Sequence, residues 1–341
     1  MRLARVAIVA LALLFAVTAV SVYRRERHAE SLAERRFEFT YIARVPELPR
    51  QAKTLRLWIP LPRADEYQSV SDLRFESPLP LSRHHETEYG NEYLYLEAER
   101  AAFQTPLEVR LRFSAVRHEH RVELSNGWTR VAAAGNEDPR LLARFLARDR
   151  LVPVDGLIAQ LADQTIRGRE TPLEKARAIY AYVISTMRYD KSGTGWGRGD
   201  ALYACDVRRG NCTDFHALFI GMMRAAGIPA RFEIGFSLPA ASASGEIGGY
   251  HCWAQFYLEP YGWIPVDASE AWKHPEKRGY FFGAHDADRV LFTLGRDIRL
   301  NPTPAGEPLN YFIYPYAEVD GKELKGIESH FIFRNLPAQT P

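Results

Sequence analysis

Cys212 is the residue in this sequence best suited to covalent chemistry. It is one of three cysteines among 341 residues and lies in the stretch GNCTDFH, residues 210–216. Asn211 is a preferred helix N-cap residue, and Asp214 complements the positive end of a helix dipole. A helix is therefore predicted to begin at Cys212, where unpaired N–H groups lower a thiol pKa and favour the nucleophilic thiolate. The alternative is that Cys212 packs as a small hydrophobic residue.

Two further residues, His251 and Asp267, could serve such a thiolate. It needs an imidazole as base and proton donor, and the imidazole needs an orienting partner. Both residues lie on predicted strands that flank a turn at residues 260–262. One register sets Asp267 opposite Gln255, which at about 3.3 Å per residue is too far from His251 for a hydrogen bond. A second register sets Asp267 opposite Trp253, diagonally within reach. The sequence leaves both registers open.

The surrounding elements follow from the spacing of apolar residues. Gly227 and Pro229 end the helix that begins at Cys212, and a separate helix is predicted to begin at TPLE, residues 171–174. Six apolar positions recur at helical spacing behind the cysteine: Phe215, Leu218, Phe219, Met222, Met223 and Ala226. Upstream, apolar and polar residues alternate between turns, which is typical of an antiparallel β-sandwich.

Three segments are predicted along the chain. Residues 1–23 contain an uncharged apolar run with arginines on both sides, which indicates an export signal or a membrane anchor. Residues 36–124 are predicted to form the β-sandwich. Residues 135–341 are predicted to form a second domain that ends in a β-hairpin turning at Asp320 and Gly321. The protein is therefore expected to be exported, and to be periplasmic or anchored in the inner membrane.

Composition and spacing argue against several kinds of partner. The formal net charge of +2 gives no general attraction to nucleic acid, so no nucleic-acid partner is predicted. The Gly-rich stretch KSGTGWGRGD, residues 191–200, lacks the ending of a phosphate loop. The spacing of His216, His251 and Cys252 matches no common zinc pattern, so we predict no metal and no cofactor. His216 is instead expected to make a hydrogen bond beside the site.

The remaining cysteines leave one question open. Cys205 and Cys252 could form a disulfide in an exported protein, or each could be a buried thiol.

Two stretches of the sequence resemble the core of the transglutaminase-like superfamily in its bacterial exported form. They are GNCTDFHALFIGMMRAAGIPARFEIGF and GYHCWAQFYLEPYGWIPVDAS. The shared pattern is Gly-x-Cys, a buried helix, Arg-x-x-Gly-Ile-Pro-Ala-Arg, His-x-Trp on one strand and Trp-x-x-x-Asp on the next. The resemblance covers about residues 170–270. Together with the upstream pattern, it implies an α+β protein in which the β-sandwich precedes a papain-like domain with the cysteine helix on an antiparallel sheet.

The resemblance also implies a reaction and the residues that perform it. Cys212 corresponds to the nucleophile, His251 to the imidazole and Asp267 to the orienting acid of acyl transfer through a thioester. Trp196 could bind the developing oxyanion together with the Cys212 N–H, or it could simply pack. We expect a protein or peptide substrate and favour hydrolysis. The alternatives are crosslinking to amines and a non-catalytic module that binds a peptide or the cell wall.

Overall fold

Six α-helices lie in the part of the chain that the computed structural model describes, residues 33–124 and 137–337. They are α1 (Pro139–Arg144), α2 (Gly156–Ile166), α3 (Pro172–Thr186), α4 (Ala201–Val207), α5 (Cys212–Ala225) and α6 (Ala268–Lys273). As predicted, α3 begins after Thr171, whose hydroxyl accepts a hydrogen bond from the Glu174 amide. The prediction for α5 is also confirmed at its end, where Gly227 adopts a left-handed φ of 77°.

Eighteen strands are present in the same part of the chain. They are β1 (Glu34–Val45), β2 (Thr54–Pro60), β3 (Gln68–Glu76), β4 (Ser82–His85), β5 (Glu92–Glu99), β6 (Leu107–His118), β7 (His120–Arg121), β8 (Arg188–Tyr189), β9 (Arg209–Gly210), β10 (Ala230–Ser237), β11 (Ser244–Glu246), β12 (His251–Leu258), β13 (Gly262–Val266), β14 (Ala284–His285), β15 (Arg289–Leu294), β16 (Tyr316–Val319), β17 (Lys322–Glu323) and β18 (Glu328–Asn335). Their pairings are antiparallel except for the parallel pair β8 and β9.

Two five-stranded sheets form the predicted β-sandwich. One has the order β11-β18-β1-β6-β3 and the other the order β17-β16-β2-β5-β4. Alternate residues of β1, namely Phe37, Phe39 and Tyr41, are fully buried and share a hydrophobic core with Leu55 and Leu57 of β2. The alternation visible in the sequence therefore marks the inward faces of the two sheets.

The C-terminal strands differ from the predicted division of the chain. The hairpin at Asp320 and Gly321 is present, but β16 pairs with β2 and β18 pairs with β1. The sandwich thus includes strands that the sequence assigned to the second domain, and the described residues from Glu34 onward form one compact unit. The physical reason is the apolar face of β18, whose Phe331 ring packs 4.8 Å from that of Tyr41.

The helix that begins with Cys212 packs on a third, four-stranded sheet. This sheet has the order β13-β12-β10-β15. Nearly all of α5 is buried, and Phe219 packs with its ring 6.3 Å from that of Phe256 on β12. The predicted α+β class, with a cysteine helix on an antiparallel sheet, is confirmed.

The predicted export signal or anchor at residues 1–23 lies outside the described residues. Within the ranges that are described, no helix is long and apolar enough to cross a membrane.

Candidate functional site

Cys212 occupies the first turn of α5, as the sequence predicts. The Asn211 side chain accepts a hydrogen bond from the Thr213 amide at 3.0 Å, and the Asn211 amide donates to Asp214 at 2.9 Å. This reciprocal pair is a capping box, which satisfies two of the N–H groups that a helix start leaves without partners. The cysteine is 2% exposed. Its thiol therefore lies at a helix N-terminus, nearly closed to water.

Asp214 also binds the Gly-rich loop that precedes α4. The amides of Gly197 and Gly199 donate to its two carboxylate oxygens at 2.7 and 3.0 Å. A Cβ at Gly210 would lie 2.2 Å from the same carboxylate, so only glycine fits there. The Gly-x-Cys motif is thus explained by the close approach of Asp214, a contact that no spacing in the sequence indicates.

The strand pair β12 and β13 adopts the second of the two predicted registers. Leu258 pairs with Gly262 and Ala254 pairs with Val266, so Asp267 falls level with Trp253. The first register, which placed Asp267 opposite Gln255, is wrong because the turn comprises residues 259–261 and begins one residue earlier than that register assumed.

The consequence of this register is a direct contact between the two predicted partners of Cys212. His251 Nε2 lies 2.7 Å from Asp267 Oδ2, and both side chains are buried. The other ring nitrogen of His251, Nδ1, is therefore the one available to the thiol, whose pKa the charge of His251 lowers. The structure brings Cys212, His251 and Asp267 together in that order.

Both carboxylate oxygens of Asp267 contact polar groups other than His251. It caps α6, where its Oδ1 accepts hydrogen bonds from Ser269 Oγ and the Glu270 amide, each at 3.0 Å. Arg289 Nη1 lies 3.4 Å from Oδ2. This buried arginine, which belongs to none of the motifs in the sequence, provides a cation beside a carboxylate that is 0% exposed.

These contacts set the protonation states at the site. Burial raises the pKa of Cys212, but hydrogen bonds with Cys252 and His251 and the charge of His251 outweigh it and hold this pKa well below its usual value. Burial lowers the pKa of His251, yet the charge and hydrogen bond of Asp267 raise it to about 10. Burial raises the pKa of Asp267, but His251 and Arg289 keep it well below its usual value. The favoured state at neutral pH is a thiolate beside an imidazolium.

His216 makes hydrogen bonds both to the backbone of Cys212 and to the turn after Asp267, which confirms the hydrogen-bonding role predicted for it. The Ala268 amide donates to its Nε2 at 3.1 Å, so Nδ1 carries the proton and donates to the Cys212 carbonyl at 2.8 Å. The ring is fully buried, and burial lowers its pKa. His216 is therefore a neutral bridge between the turn after Asp267 and the backbone of the cysteine.

The three cysteines are free thiols in the structure. Cys252 is buried with its sulfur 3.7 Å from His216 Nδ1, whereas Cys205 lies half-buried on α4. Of the two possibilities for Cys252, the structure shows the buried thiol.

Trp196 lies in the Gly-rich loop that Asp214 holds. Its indole N–H donates to the Gly193 carbonyl at 3.2 Å, within the loop itself. This donor has a partner, and the structure does not place it among the residues around the Cys212 thiol. Its role as an oxyanion donor stays a prediction.

Known proteins resemble this chain at the level of sequence and fold. The pattern of the transglutaminase-like superfamily matches residues 159–268. An uncharacterized protein of Haemophilus influenzae is 33% identical over 328 residues, which cover 86% of this chain and 87% of the relative.

Two solved structures extend the comparison. A candidate cysteine protease from Cytophaga hutchinsonii matches with a TM-score of 0.62 and 17% identity, over 91% of this chain and 93% of the other. The periplasmic domain of TgpA from Pseudomonas aeruginosa gives a TM-score of 0.38 and 19% identity, over 73% and 91% of the two chains. The matching pattern contains the Gly-x-Cys helix and the His-x-Trp strand described above, and the fold agrees with that of the Cytophaga hutchinsonii protein. The chain belongs to the transglutaminase-like superfamily, a family of thiol enzymes.

Proposed function

We propose that this protein is a thiol enzyme that hydrolyses amide or peptide bonds in a protein or peptide. The observation that carries the proposal is the buried contact of 2.7 Å between His251 and Asp267, beside a thiol at the start of α5 whose pKa the charge of His251 lowers. A thiol that serves only packing has no need of a charged imidazole or of a second buried carboxylate.

The first half of the reaction forms a thioester. The Cys212 thiolate attacks the carbonyl carbon of the substrate amide, and the carbonyl oxygen becomes an oxyanion. When the tetrahedral intermediate collapses, the C–N bond breaks and the His251 imidazolium gives its proton to the departing amine. Asp267 fixes the ring through Nε2 and stabilises its positive charge before the transfer.

The second half releases the product. Neutral His251 takes a proton from a water molecule as its oxygen attacks the thioester carbonyl. The C–S bond then breaks, so a carboxylic acid leaves and the thiolate–imidazolium pair is restored. We favour water over an amine as the acceptor because nothing in the sequence indicates a channel that admits an amine while it shields the thioester from water.

The reactivity of the Cys212 thiol distinguishes a thiol enzyme from a non-catalytic binding module. The full-length protein, purified in detergent, is treated with a limiting amount of iodoacetamide at neutral pH, and the alkylated cysteines are mapped by mass spectrometry. We expect Cys212 to react well ahead of Cys205, although Cys205 is the more exposed thiol. Equal or slower reaction at Cys212 would show that the thiol is not activated and would leave a binding role.

The acceptor is tested separately with casein and a fluorescent primary amine. Hydrolysis predicts new peptides or released ammonia with the wild-type protein, loss of both with Cys212→Ala, and no attachment of the amine. Attachment of the amine that depends on Cys212 would instead establish crosslinking.

We also propose that the protein is exported and either periplasmic or anchored in the inner membrane. The support is the uncharged run at residues 6–22 with arginines on both sides. A fusion of alkaline phosphatase after residue 341, which is active only outside the cytoplasm, tests this. Activity that persists when residues 1–23 are deleted would contradict it.

A further inference from the structure

The proposed attack on a carbonyl creates an oxyanion that needs hydrogen-bond donors. The Cys212 amide can supply one, because the first N–H groups of a helix have no acceptor within it. The other predicted donor, the indole of Trp196, is committed to the Gly193 carbonyl. A second donor close to the start of α5 is therefore required.

Tyr250 places a hydroxyl group at the start of this helix. It directly precedes His251 in the sequence, and its hydroxyl oxygen accepts a hydrogen bond of 2.9 Å from Asn211 Nδ2. Asn211 is the cap of α5 and directly precedes Cys212. The Tyr250 side chain therefore connects the strand that carries the imidazole to the end of the helix that carries the thiol.

The position of the Tyr250 ring is fixed by two other tyrosines. Its ring centroid lies 5.6 Å from that of Tyr311 and 5.8 Å from that of Tyr314. The Tyr311 hydroxyl in turn donates to the Gly197 carbonyl at 3.1 Å. Aromatic contacts on two sides hold a hydroxyl more firmly than a loop side chain could, which is the requirement for a preorganised donor.

The hydroxyl of Tyr250 keeps its proton. Burial raises the pKa of Tyr250 far above its usual value, and the neighbouring Cys212 thiolate raises it further. In the resting site the Tyr250 oxygen accepts from Asn211 Nδ2, and the neighbouring Tyr311 hydroxyl donates to the Gly197 carbonyl. The Tyr250 O–H can therefore turn toward a new acceptor without breaking either of these two hydrogen bonds.

We propose that Tyr250 is the second oxyanion donor and therefore a catalytic residue of the proposed reaction. As the Cys212 sulfur bonds to the carbonyl carbon, the Tyr250 O–H turns to the carbonyl oxygen, which also accepts from the Cys212 amide. No proton is transferred from the phenol, and the hydrogen bond to the charged oxygen is a strong, charge-assisted one. This inference rests on the proposed function, since it requires attack by Cys212.

An aldehyde probe separates oxyanion binding from thiol activation. N-acetylglycinal adds reversibly to a thiolate and forms a thiohemiacetal whose oxygen occupies the oxyanion position, whereas iodoacetamide reacts without such an oxygen. The affinity of the full-length protein for the aldehyde is measured as protection of Cys212 against iodoacetamide.

With Tyr250→Phe we expect the affinity for the aldehyde to fall about 10- to 100-fold, because one oxyanion donor is lost. The rate of alkylation without aldehyde should stay within about threefold of the wild type. The matched control, Tyr311→Phe, keeps the ring that packs on Tyr250 and removes only a neighbouring hydroxyl, so its affinity for the aldehyde should stay within about threefold of the wild type.

Three results would overturn the assignment. The first is a Tyr250→Phe protein that binds the aldehyde like the wild type, and the second is one that loses alkylation to the same extent, which indicates a structural role. The third result can be obtained even if the Tyr250→Phe protein does not fold. A large loss of aldehyde affinity in Trp196→Phe would show that Trp196, and not Tyr250, is the second oxyanion donor. A wild-type protein with an unreactive Cys212 would contradict the proposed function itself.

Discussion

Arg289 lies with Nη1 3.4 Å from Asp267 Oδ2, the same oxygen that contacts His251. The guanidinium also contacts Asp286 at 2.8 Å and lies over the Trp253 ring, 4.8 Å from its centroid. The acid that orients the imidazole is thus held between an imidazolium and a buried arginine. The charges at the site extend beyond the three residues that the motifs identify.

Removing Arg289 should destabilise the fold. Arg289→Met leaves the buried Asp267 carboxylate without this cation, and breaking a buried pair in this way costs about 3 kcal/mol of unfolding free energy. Urea unfolding measures the change. The matched control is Arg334→Ala, which breaks an exposed pair with Glu38 and should cost less than about 1 kcal/mol. Equal small effects from both variants would show that Arg289 does not support the site.

A methyl group at Gly210 should disrupt the start of α5. The Cβ of Gly210→Ala would lie 2.2 Å from the Asp214 carboxylate, which would have to release the amides of Gly197 and Asn211. We expect a loss of about 2–3 kcal/mol in unfolding free energy and slower alkylation of Cys212. Gly248→Ala is the control, because no atom lies within 4 Å of the added Cβ. A Gly210→Ala protein as stable and as reactive as this control would refute the explanation of the motif.

Three buried histidines should make the fold less stable in mild acid. Burial lowers the pKa of His120, His216 and His285 below the usual value, so the unfolded chain binds more protons than the folded one below about pH 6.5. The raised pKa of His251 opposes this slope at about pH 6.5, where the unfolded residue is only half protonated, and adds nothing at about pH 5, where His251 is protonated in both states.

Unfolding free energy should therefore fall between about pH 6.5 and 5, by up to about 1.4 kcal/mol per pH unit for each histidine. Urea unfolding at several pH values tests this, and His285→Gln should reduce the slope. A flat profile for the wild-type protein would contradict the neutral state of these rings.

Asp267→Asn should weaken the proposed reaction and change its pH dependence. The neutral amide cannot stabilise the imidazolium, so the pKa of His251 should fall from about 10. We expect a kcat for amide hydrolysis about 100- to 10,000-fold lower, and a decline at high pH that begins at a lower pH than in the wild type. A variant with the wild-type pH profile would show that Asp267 does not set the protonation of His251.

The sequence predicts the local features of the site well. The cap at Asn211, the left-handed Gly227 and the alternation of β1 depend on neighbouring residues, and all are present. The register of β12 and β13 depends on a turn that can form in two ways, so the sequence left the distance between His251 and Asp267 open.

Contacts between distant parts of the chain were not predictable in the same way. Arg289 lies 22 residues after Asp267 on a strand whose residues are all buried, and no periodicity marks one buried position as the partner of a particular carboxylate. Strand β18 likewise joins β1 across the length of the chain. Such pairings depend on how two apolar faces pack against each other in three dimensions. The sequence pattern shows which residues form each face, but it does not show which two faces pack together.

We propose that Cys212 is a thiolate because His251 is positively charged, and the ultraviolet absorbance of the thiolate measures this charge state. The difference spectrum between the wild type and Cys212→Ser isolates this residue from Cys205 and Cys252. We expect thiolate absorbance to be present already at about pH 6 and to be lost at that pH in His251→Asn. Absorbance that appears only above about pH 8, as for an ordinary cysteine, would contradict it.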